Sequence, residues 1–584
     1  MKIKHFFGLA VIAAMTASCS SNEDLGTAGS GTGTNETGVG YATFTINLPS
    51  VSGTRADAGG AEMNEGTKEE YAVKSATALI FQKYGADEGS NKFVESVTLP
   101  IDGWTDDPED GITTTSKKLV AKLTNVDTKN DYSVLILLNN TKVALPTVGQ
   151  SYNDWNSQNI LTPLVTDWTG SDGFYMANAP LKGSGASPAI LVPINKDKIY
   201  ASEAIAKEDA SECAATVFVE RGVAKMSVAD PTPTDPIKVK DKATKAETES
   251  TVKFNNWALD ITNKKTYAVH NIDGLESDFG DIWKTDPSNR FIGTNNRVYW
   301  GKDPNYDNKD LKLTDKDAER QAEFNFITAT SQIDKDFANT TNTNPVYCLE
   351  NTFNLTNMYQ GQTTRVIFKA KYAPKDDAGN SLADDDETFY TIGNMTTILN
   401  TGKLKAAVNA VANPVLPTGY TIDYTNFMTK EGSHVITLAD IKNASGTPLV
   451  AGTDYSGKKG EEIVADINTK LGLTDGGGRA EAKVGINTYL QGVTYYIARV
   501  KHFGDALTKW NSGESYGDNN KQYLGRYGML RNNWYELTVG NVYGPGYPGV
   551  PPVDPTLPDD ENEKYLSVSV KILSWAKRSQ SVDL

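Results

Sequence analysis

The sequence predicts a mostly β protein, built as two β-sandwich domains in tandem with short helical insertions. Three observations lead there. Short apolar runs separated by turn residues recur at 76–81, 93–99, 118–123, 132–138, 190–194 and 217–219, a spacing that suits a sandwich better than alternating βα units. The 50 glycines imply many turns, while 39% hydrophobic content with 9 Trp, 27 Tyr and 18 Phe is too apolar for a disordered chain. The length of 584 residues gives room for two or three domains, each with a proper core.

From the N-terminus, residues 1–18 combine a charged start (Met1-Lys-Ile-Lys-His5), an apolar stretch (Phe6 to Met15) and small residues up to Ser18. This is the pattern of a secretory signal, too short for a spanning helix. The small residues before Cys19 resemble the lipobox of bacterial lipoproteins, with Thr16 where Leu is usual. That resemblance implies diacylation of Cys19, palmitate being the typical acyl group, and a protein anchored to a membrane or released from it.

Residues 19–55 read as a tether followed by a removable strand. The Gly-, Ser- and Thr-rich stretch 20–40 has almost nothing to bury, so it supplies reach. In Tyr41-Ala-Thr-Phe-Thr-Ile-Asn-Leu48, Ala42, Phe44, Ile46 and Leu48 share one face and Thr43, Thr45 and Asn47 the other, as in a half-buried strand. Arg55 follows among Gly, Ser, Thr and Ala; it is the first arginine, and the next is Arg221. One reading is a single solvated loop charge. The other is a site that can be cut once, between Arg55 and Ala56, leaving a sheet that has lost a strand and gained an open apolar groove with unpaired backbone groups.

The first sandwich is expected over 56–230, with short helices near 151–164 and 201–213. Asp230-Pro-Thr-Pro-Thr-Asp-Pro236 and the charged run after it suggest a linker over 231–250. The second sandwich, 251–543, carries strand-like segments at 252–263, 264–269, 297–300, 365–372, 494–500 and 533–539, with its clearest helix at 395–411. A Pro-rich stretch, 544–564, reads as a stiff extended spacer. Beyond it, within 565–584, Leu566, Val568, Val570 and Ile572 alternate with Ser567, Ser569 and Lys571. This strand has no partner close in sequence, so it must fold back or find another molecule. Its pattern is close to that of Phe44, Ile46 and Leu48, and one groove could in principle accept either segment.

The sequence offers little for catalysis, and no catalytic residue, cofactor or metal is assigned. The formal net charge of −16 argues against nucleic acid, which requires a basic face. His5, His270, His434 and His502 are too dispersed for a tight zinc site. Gly513-Glu-Ser-Tyr-Gly517 matches a hydrolase elbow in letters only, because its flanks are polar loop. The prolines of Gly544-Pro-Gly-Tyr-Pro-Gly549 forbid the helix a dinucleotide loop needs. In the EF-hand-like run starting at Asp303, Asn308 and Thr314 replace the required Gly and Glu, which leaves at most a loose surface calcium site. Nothing in the spacing selects a glycosidase-type carboxylate pair. Cys213 and Cys348 read as two unpaired thiols.

Several pieces together resemble the fimbrillins of Bacteroidales, specifically the shaft subunits of the minor-fimbria (Mfa) type. They are Tyr132-Ser-Val-Leu-Ile-Leu-Leu-Asn139, Phe174-Tyr-Met-Ala-Asn-Ala-Pro180, Val219-Glu-Arg-Gly-Val-Ala-Lys225, Trp257-Ala-Leu-Asp-Ile-Thr-Asn263, Tyr347-Cys-Leu-Glu-Asn-Thr352, Tyr496 to Gly504, Tyr527-Gly-Met-Leu-Arg-Asn-Asn-Trp-Tyr535, and the endings Ser574-Trp575 and Val582-Asp-Leu584. The resemblance implies two transthyretin-like sandwiches and no enzymatic activity. It also implies a precursor anchored in the outer membrane through Cys19 and cut by an Arg-specific protease at Arg55–Ala56. The subunits then polymerise by donor-strand exchange into a cell-surface fimbria with anchor and tip subunits. Phe44, Ile46 and Leu48 become the plug, and Leu566, Val568, Val570 and Ile572 the donor residues. The alternatives are a fimbrial tip or accessory subunit, a monomeric glycan-binding lipoprotein using Trp155, Trp168, Trp510 and Tyr516 as sugar platforms, or, more remotely, a surface hydrolase.

Overall fold

The structure is a computed structural model that describes residues 32–49, 63–64, 67–102, 104, 116–157, 160–182, 187–208, 213–229, 236–278, 280, 291–292, 297–336, 345–503, 507–511, 514, 516–517, 520–559 and 566–575. Cys19, Arg55 and Ala56 lie outside the described residues. The fold is mostly β. Its principal strands in the first part are β1 (Gly40–Asn47), β2 (Met63–Asn64), β3 (Ala76–Gln82), β4 (Lys92–Thr98), β5 (Ser116–Leu123), β6 (Tyr132–Leu138), β7 (Met176–Asn178), β8 (Val192–Ile194), β9 (Ile199–Tyr200) and β10 (Ala215–Arg221). They continue with β11 (Val223–Ala229), β12 (Ile237–Lys240), β13 (Glu247–Asp260), β14 (Lys335–Asp336), β15 (Val346–Leu349), β16 (Arg365–Ala373), β17 (Val493–Arg499), β18 (Trp534–Val542) and β19 (Leu566–Trp575).

Among the described residues, a nine-stranded sheet runs β9-β1-β10-β7-β6-β3-β4, with β8 on β6 and β5 on β1. A five-stranded sheet runs β15-β11-β18-β19-β2, and another runs β12-β13-β16-β17 with β14 on β13. The inner faces of these two five-stranded sheets share one apolar core. It joins Met226 and Val228 of β11, Phe254 and Trp257 of β13, Phe368 of β16, Tyr496 of β17 and Leu537 of β18. This is sheet-on-sheet packing.

The alternating runs become strands as expected, because period-two apolar residues bury one face. The short helix α1 (Tyr152–Asn156) follows the N-cap Ser151, whose hydroxyl accepts from the Asp154 amide, and α2 (Glu203–Glu208) lies within the second expected helical stretch. The helix expected at 395–411 starts later, as α3 (Thr401–Ala412), because Asn400 caps it by accepting from the Lys403 amide. It packs with α4 (Gly460–Leu471) in a separate core formed by residues between 390 and 486, an insertion between β16 and β17.

Several features differ from the sequence reading. The chain passes from the nine-stranded sheet to its neighbour between Arg221 and Val223, well before 230. Gly222 makes the step possible: a Cβ there would lie 2.6 Å from Trp168 Cε3 and 2.9 Å from Tyr175 Cδ1. Within the run assigned to a linker, residues 237–250 form the β12–β13 hairpin, with Lys238 bonded to Glu249 at 2.8 Å. Residues 264–269, expected as a strand, make only a bridge between Thr266 and Leu161.

Around Gly222 the sheets are joined by buried charges. Glu70, Arg221 and Lys225 are each fully buried. Lys225 Nζ lies 2.8 Å from Glu70 Oε1, to which Tyr347 Oη donates at 2.5 Å, while Arg221 Nε donates to the Glu70 carbonyl at 2.9 Å. The Lys225 ammonium also sits 3.6 Å from the centre of the Trp534 ring. Burial lowers the Lys225 pKa to about 8, although Glu70 holds it up. Beside this cluster Glu220 bonds His270 Nδ1 at 2.7 Å and also pairs with Arg297, and Glu350 pairs with Arg531 at 3.2 Å. Three of the quoted resemblance pieces, 219–225, 347–352 and 527–535, meet at this junction, where Asn351 and Met529 form a bridge.

Candidate assembly sites at the two chain ends

Strand β1 is enclosed on both sides. Along its whole length, from Gly40 opposite Leu123 to Asn47 opposite Ser116, it pairs antiparallel with β5. Its other side meets β9 antiparallel at Tyr41 and Ala42, then β10 in parallel from Phe44 to Asn47. Ala42, Phe44 and Ile46 are completely buried and Leu48 nearly so. The polar face is tied as well: Thr43 Oγ1 donates to the Ala206 carbonyl of α2 at 2.8 Å, and Asn47 Nδ2 to the Val217 carbonyl at 3.3 Å.

Removing β1 would therefore open a slot between β5 and β10, floored by the groups that now touch Phe44 and Ile46. Among the described strands β5 pairs with β1 alone, so it would lose its entire ladder. An unpaired strand edge beside exposed apolar surface is a template for another strand.

Cys213 lies at the margin of this slot, with its sulfur 3.0 Å from Thr216 Oγ1. Burial raises the thiol pKa there, but hydrogen bonds involving Thr216 and Thr45 of β1 outweigh it, and the net shift is downward. Cys348 is buried in the second core, and burial pushes its pKa up to about 12. Both thiols are free.

Strand β19 folds back on its own chain. It pairs antiparallel with β18, placing Leu566, Val568, Val570 and Ile572 opposite Val542, Val539, Leu537 and Tyr535. A bulge between Val539 and Asn541 interrupts the register. On its far side, among the described residues, Ser574 and Trp575 are paired, in parallel with Met63 and Asn64 of β2. Within one chain, then, the two terminal strands occupy different sheets and do not share a groove.

The Pro-rich stretch after β18, expected as a stiff extended spacer, is docked over residues 544–559. Tyr547 exchanges backbone hydrogen bonds with Tyr495 at 2.8 and 2.9 Å, Tyr496 Oη donates to the Gly544 carbonyl at 2.8 Å, and Arg365 Nη2 donates to that of Pro551 at 2.7 Å. Proline has no N–H to offer, so apart from the Tyr547 amide these bonds use the segment's carbonyls, with donors distant in sequence. The sequence carries no local signal for this.

Other candidate groups fall away from any site. Trp155 and Trp168 are buried core residues, not exposed sugar platforms, and Trp510 and Tyr516 are half-buried against the same core. Asp303 is turned inward, where its carboxylate accepts from the amides of Thr352 and Asn305 and from Asn263 Nδ2 at 2.6 to 2.8 Å. Burial pushes its pKa up to about 7. Gly513 and Ser515 lie outside the described residues. Among the described residues no group of three or more His, Cys, Asp and Glu is placed to hold a metal ion, and no helix is long and apolar enough to cross a membrane.

The match to known families falls on the C-terminal site. Residues 487–581 match the family described as major fimbrial subunit protein type IV, fimbrillin, C-terminal. This stretch is fimbrillin-like. It runs from before β17 through β18 and the docked Pro-rich segment to β19. No protein of curated function matches the chain in sequence. One solved structure, a "putative cell adhesion protein" from Parabacteroides distasonis ATCC 8503, aligns over 92% of this chain and 99% of its own at 10% identity, with a TM-score of 0.38. A likeness of that degree does not establish a shared fold.

Proposed function

We propose that this chain is a structural shaft subunit of a bacterial surface fimbria of the Bacteroidales minor-fimbria (Mfa) type, built of transthyretin-like sandwiches and supporting adhesion. The precursor is exported as a lipoprotein anchored in the outer membrane through Cys19, and an Arg-specific protease cuts it between Arg55 and Ala56. Strand β1 leaves, and Leu566, Val568, Val570 and Ile572 of another copy fill the vacated slot. Repetition builds a homopolymer, closed at its ends by anchor and tip subunits.

The observation that carries this reading is the enclosure of β1. A strand buried on both sides, yet joined to the body through a segment containing the first arginine, becomes removable only after a cut. Phe44, Ile46 and Leu48 together account for roughly 5–9 kcal/mol of burial, at ~1.5–3 kcal/mol per side chain. A replacement must recover most of that. At ten residues β19 is long enough for an eight-residue slot. The family match over 487–581 supports the same reading from the other chain end.

Trypsin-treated wild-type precursor should form SDS-resistant ladders whose subunits begin at Ala56. Arg55→Ala should stay folded and unassembled under the same treatment. Ladders from that variant, or a different N-terminus in wild-type fibres, would reject the mechanism.

A further inference from the structure

The fimbrial reading requires β19 to leave its own sheet, and the structure limits where it can pivot. From Gly544 to Asp559 the chain is fastened repeatedly: Tyr489 Oη donates to the Gly546 carbonyl at 3.1 Å, and the Gln360 amide to that of Leu557 at 3.0 Å. Arg365 spans the middle, 2% exposed and paired with Asp260 at 2.8 Å. Among the described residues before β19, the last fastening is Asp559. Its carboxylate accepts from Thr363 Oγ1 at 2.5 Å and lies 3.7 Å from Arg499 Nε, its amide donates to the Met358 carbonyl at 3.3 Å, and its side chain is fully buried.

We infer that in the fibre proposed above, and resting on that reading, the Pro-rich segment stays docked on its own subunit and β19 swings from Asp559. The surface bordering Asp559 is then the face against which a second copy of this chain docks. Reach decides the matter. Seven residue steps separate Asp559 from Leu566, a span of at most about 25 Å, whereas a spacer free from Val542 onward would allow about 80 Å. A slot within the shorter radius must belong to a copy in direct contact with the pivot. The short tether also keeps the local concentration of donor strand high. That border includes Pro558 bridged to Tyr359, Lys312 placed 4.9 Å from the centre of the Tyr359 ring, and the exposed Leu313.

The test ties the segment down. Tyr495 and Tyr547 exchange both backbone hydrogen bonds, the geometry of a directly opposed pair whose Cα atoms lie within disulfide range. In a Cys213→Ser, Cys348→Ala background, Tyr495→Cys with Tyr547→Cys is oxidised, cut with trypsin and compared with its reduced form. Equal ladder formation is expected. Assembly of the reduced form with none from the oxidised form would show that the segment must undock and would overturn the inference. If wild type itself gives no ladders, the strand-exchange reading fails and takes this inference with it. Should the double variant not fold, hydrogen exchange on wild type decides: the Tyr495 and Tyr547 amides should be equally protected in monomer and fibre, and fast exchange in the fibre would overturn the pivot.

Discussion

The two terminal strands carry nearly the same sequence pattern and sit in opposite situations. Strand β1 has a ladder on both sides and a completely buried apolar face, whereas among the described residues β19 has a full ladder with β18 and a two-residue contact on its far edge. Detaching β1 from a continuous chain would break two ladders at once, but β19 can peel from one. In the assembly proposed above, the strand that would need proteolysis to leave is thus the N-terminal one, and the strand that could exchange without a cut is the C-terminal one. Alternation alone does not distinguish them; the number of neighbours does.

The largest expected effect breaks the comparison by mutation. Phe44→Ala should destabilise the precursor by about 3–5 kcal/mol, since it empties a buried aromatic position. Fibres assembled from the cut variant should nevertheless resist SDS and heat as wild type does, because β1 is no longer present. Val570→Ala should behave the other way, weakening fibre junctions by ~1–3 kcal/mol. Precursor melting and the temperature at which ladders dissolve in SDS measure the two. Fibres weakened by Phe44→Ala would mean that β1 stays in the assembled subunit.

A smaller effect concerns pH. Burial pushes the carboxyls of Glu88 and Asp303 up to about 7 and that of Asp559 up to about 6, against ordinary values of 4.5, 3.8 and 3.8. Between the ordinary and raised values the folded chain holds protons that the unfolded chain has released, so stability falls as pH rises through that window. The melting temperature should accordingly increase on going from pH 7.5 to pH 5, by on the order of 1–3 °C for a chain of this size. Asp559→Asn should flatten the slope between pH 4 and 6 and leave the part due to Glu88 and Asp303. A melting temperature that falls over the same interval would contradict this origin.

How much of this was legible follows from the range of the forces involved. Strand β1 and the partners of its alternation were readable because period two is local: Ala42, Phe44, Ile46 and Leu48 announce a buried face without reference to anything else. The β18 run was readable in the same way, while β6, β16 and β17, buried over most of their length, were readable as short apolar runs bounded by turn residues. The crossing at Gly222 was not, because its cause is the Trp168 ring more than fifty positions earlier. Charge misled at 231–250, where the Lys238–Glu249 pair spans a hairpin rather than marking a solvated linker. The Pro-rich segment read as an extended spacer since its fastenings, Arg365, Tyr495 and Tyr496, belong to remote strands. For the proposed site, sequence supplied the two strands but not the walls of the slot, β5 and β10, nor the pin at Asp559. Those depend on the tertiary fold.

The smallest effect offers the most direct view of the slot. Hydrogen bonding with Thr216 and Thr45 keeps the Cys213 thiol pKa below its usual value despite burial. Thr45 belongs to β1, so departure of the strand removes one of these partners together with part of the burial that opposes them. The midpoint of a rate-against-pH profile for alkylation should therefore differ between precursor and cut monomer, and the rate should rise as the sulfur becomes accessible. Cys348 contributes little background, being buried with its pKa near 12. In the fibre the outcome depends on which donor residue lies where Thr45 was: Ser567 or Ser569 can restore a hydroxyl, and Lys571 cannot. A midpoint that returns to the precursor value on assembly identifies a serine register, whereas one that stays away from it identifies the lysine register or an empty slot. No difference in either rate or midpoint between precursor and cut monomer would mean that β1 remains in place after cleavage.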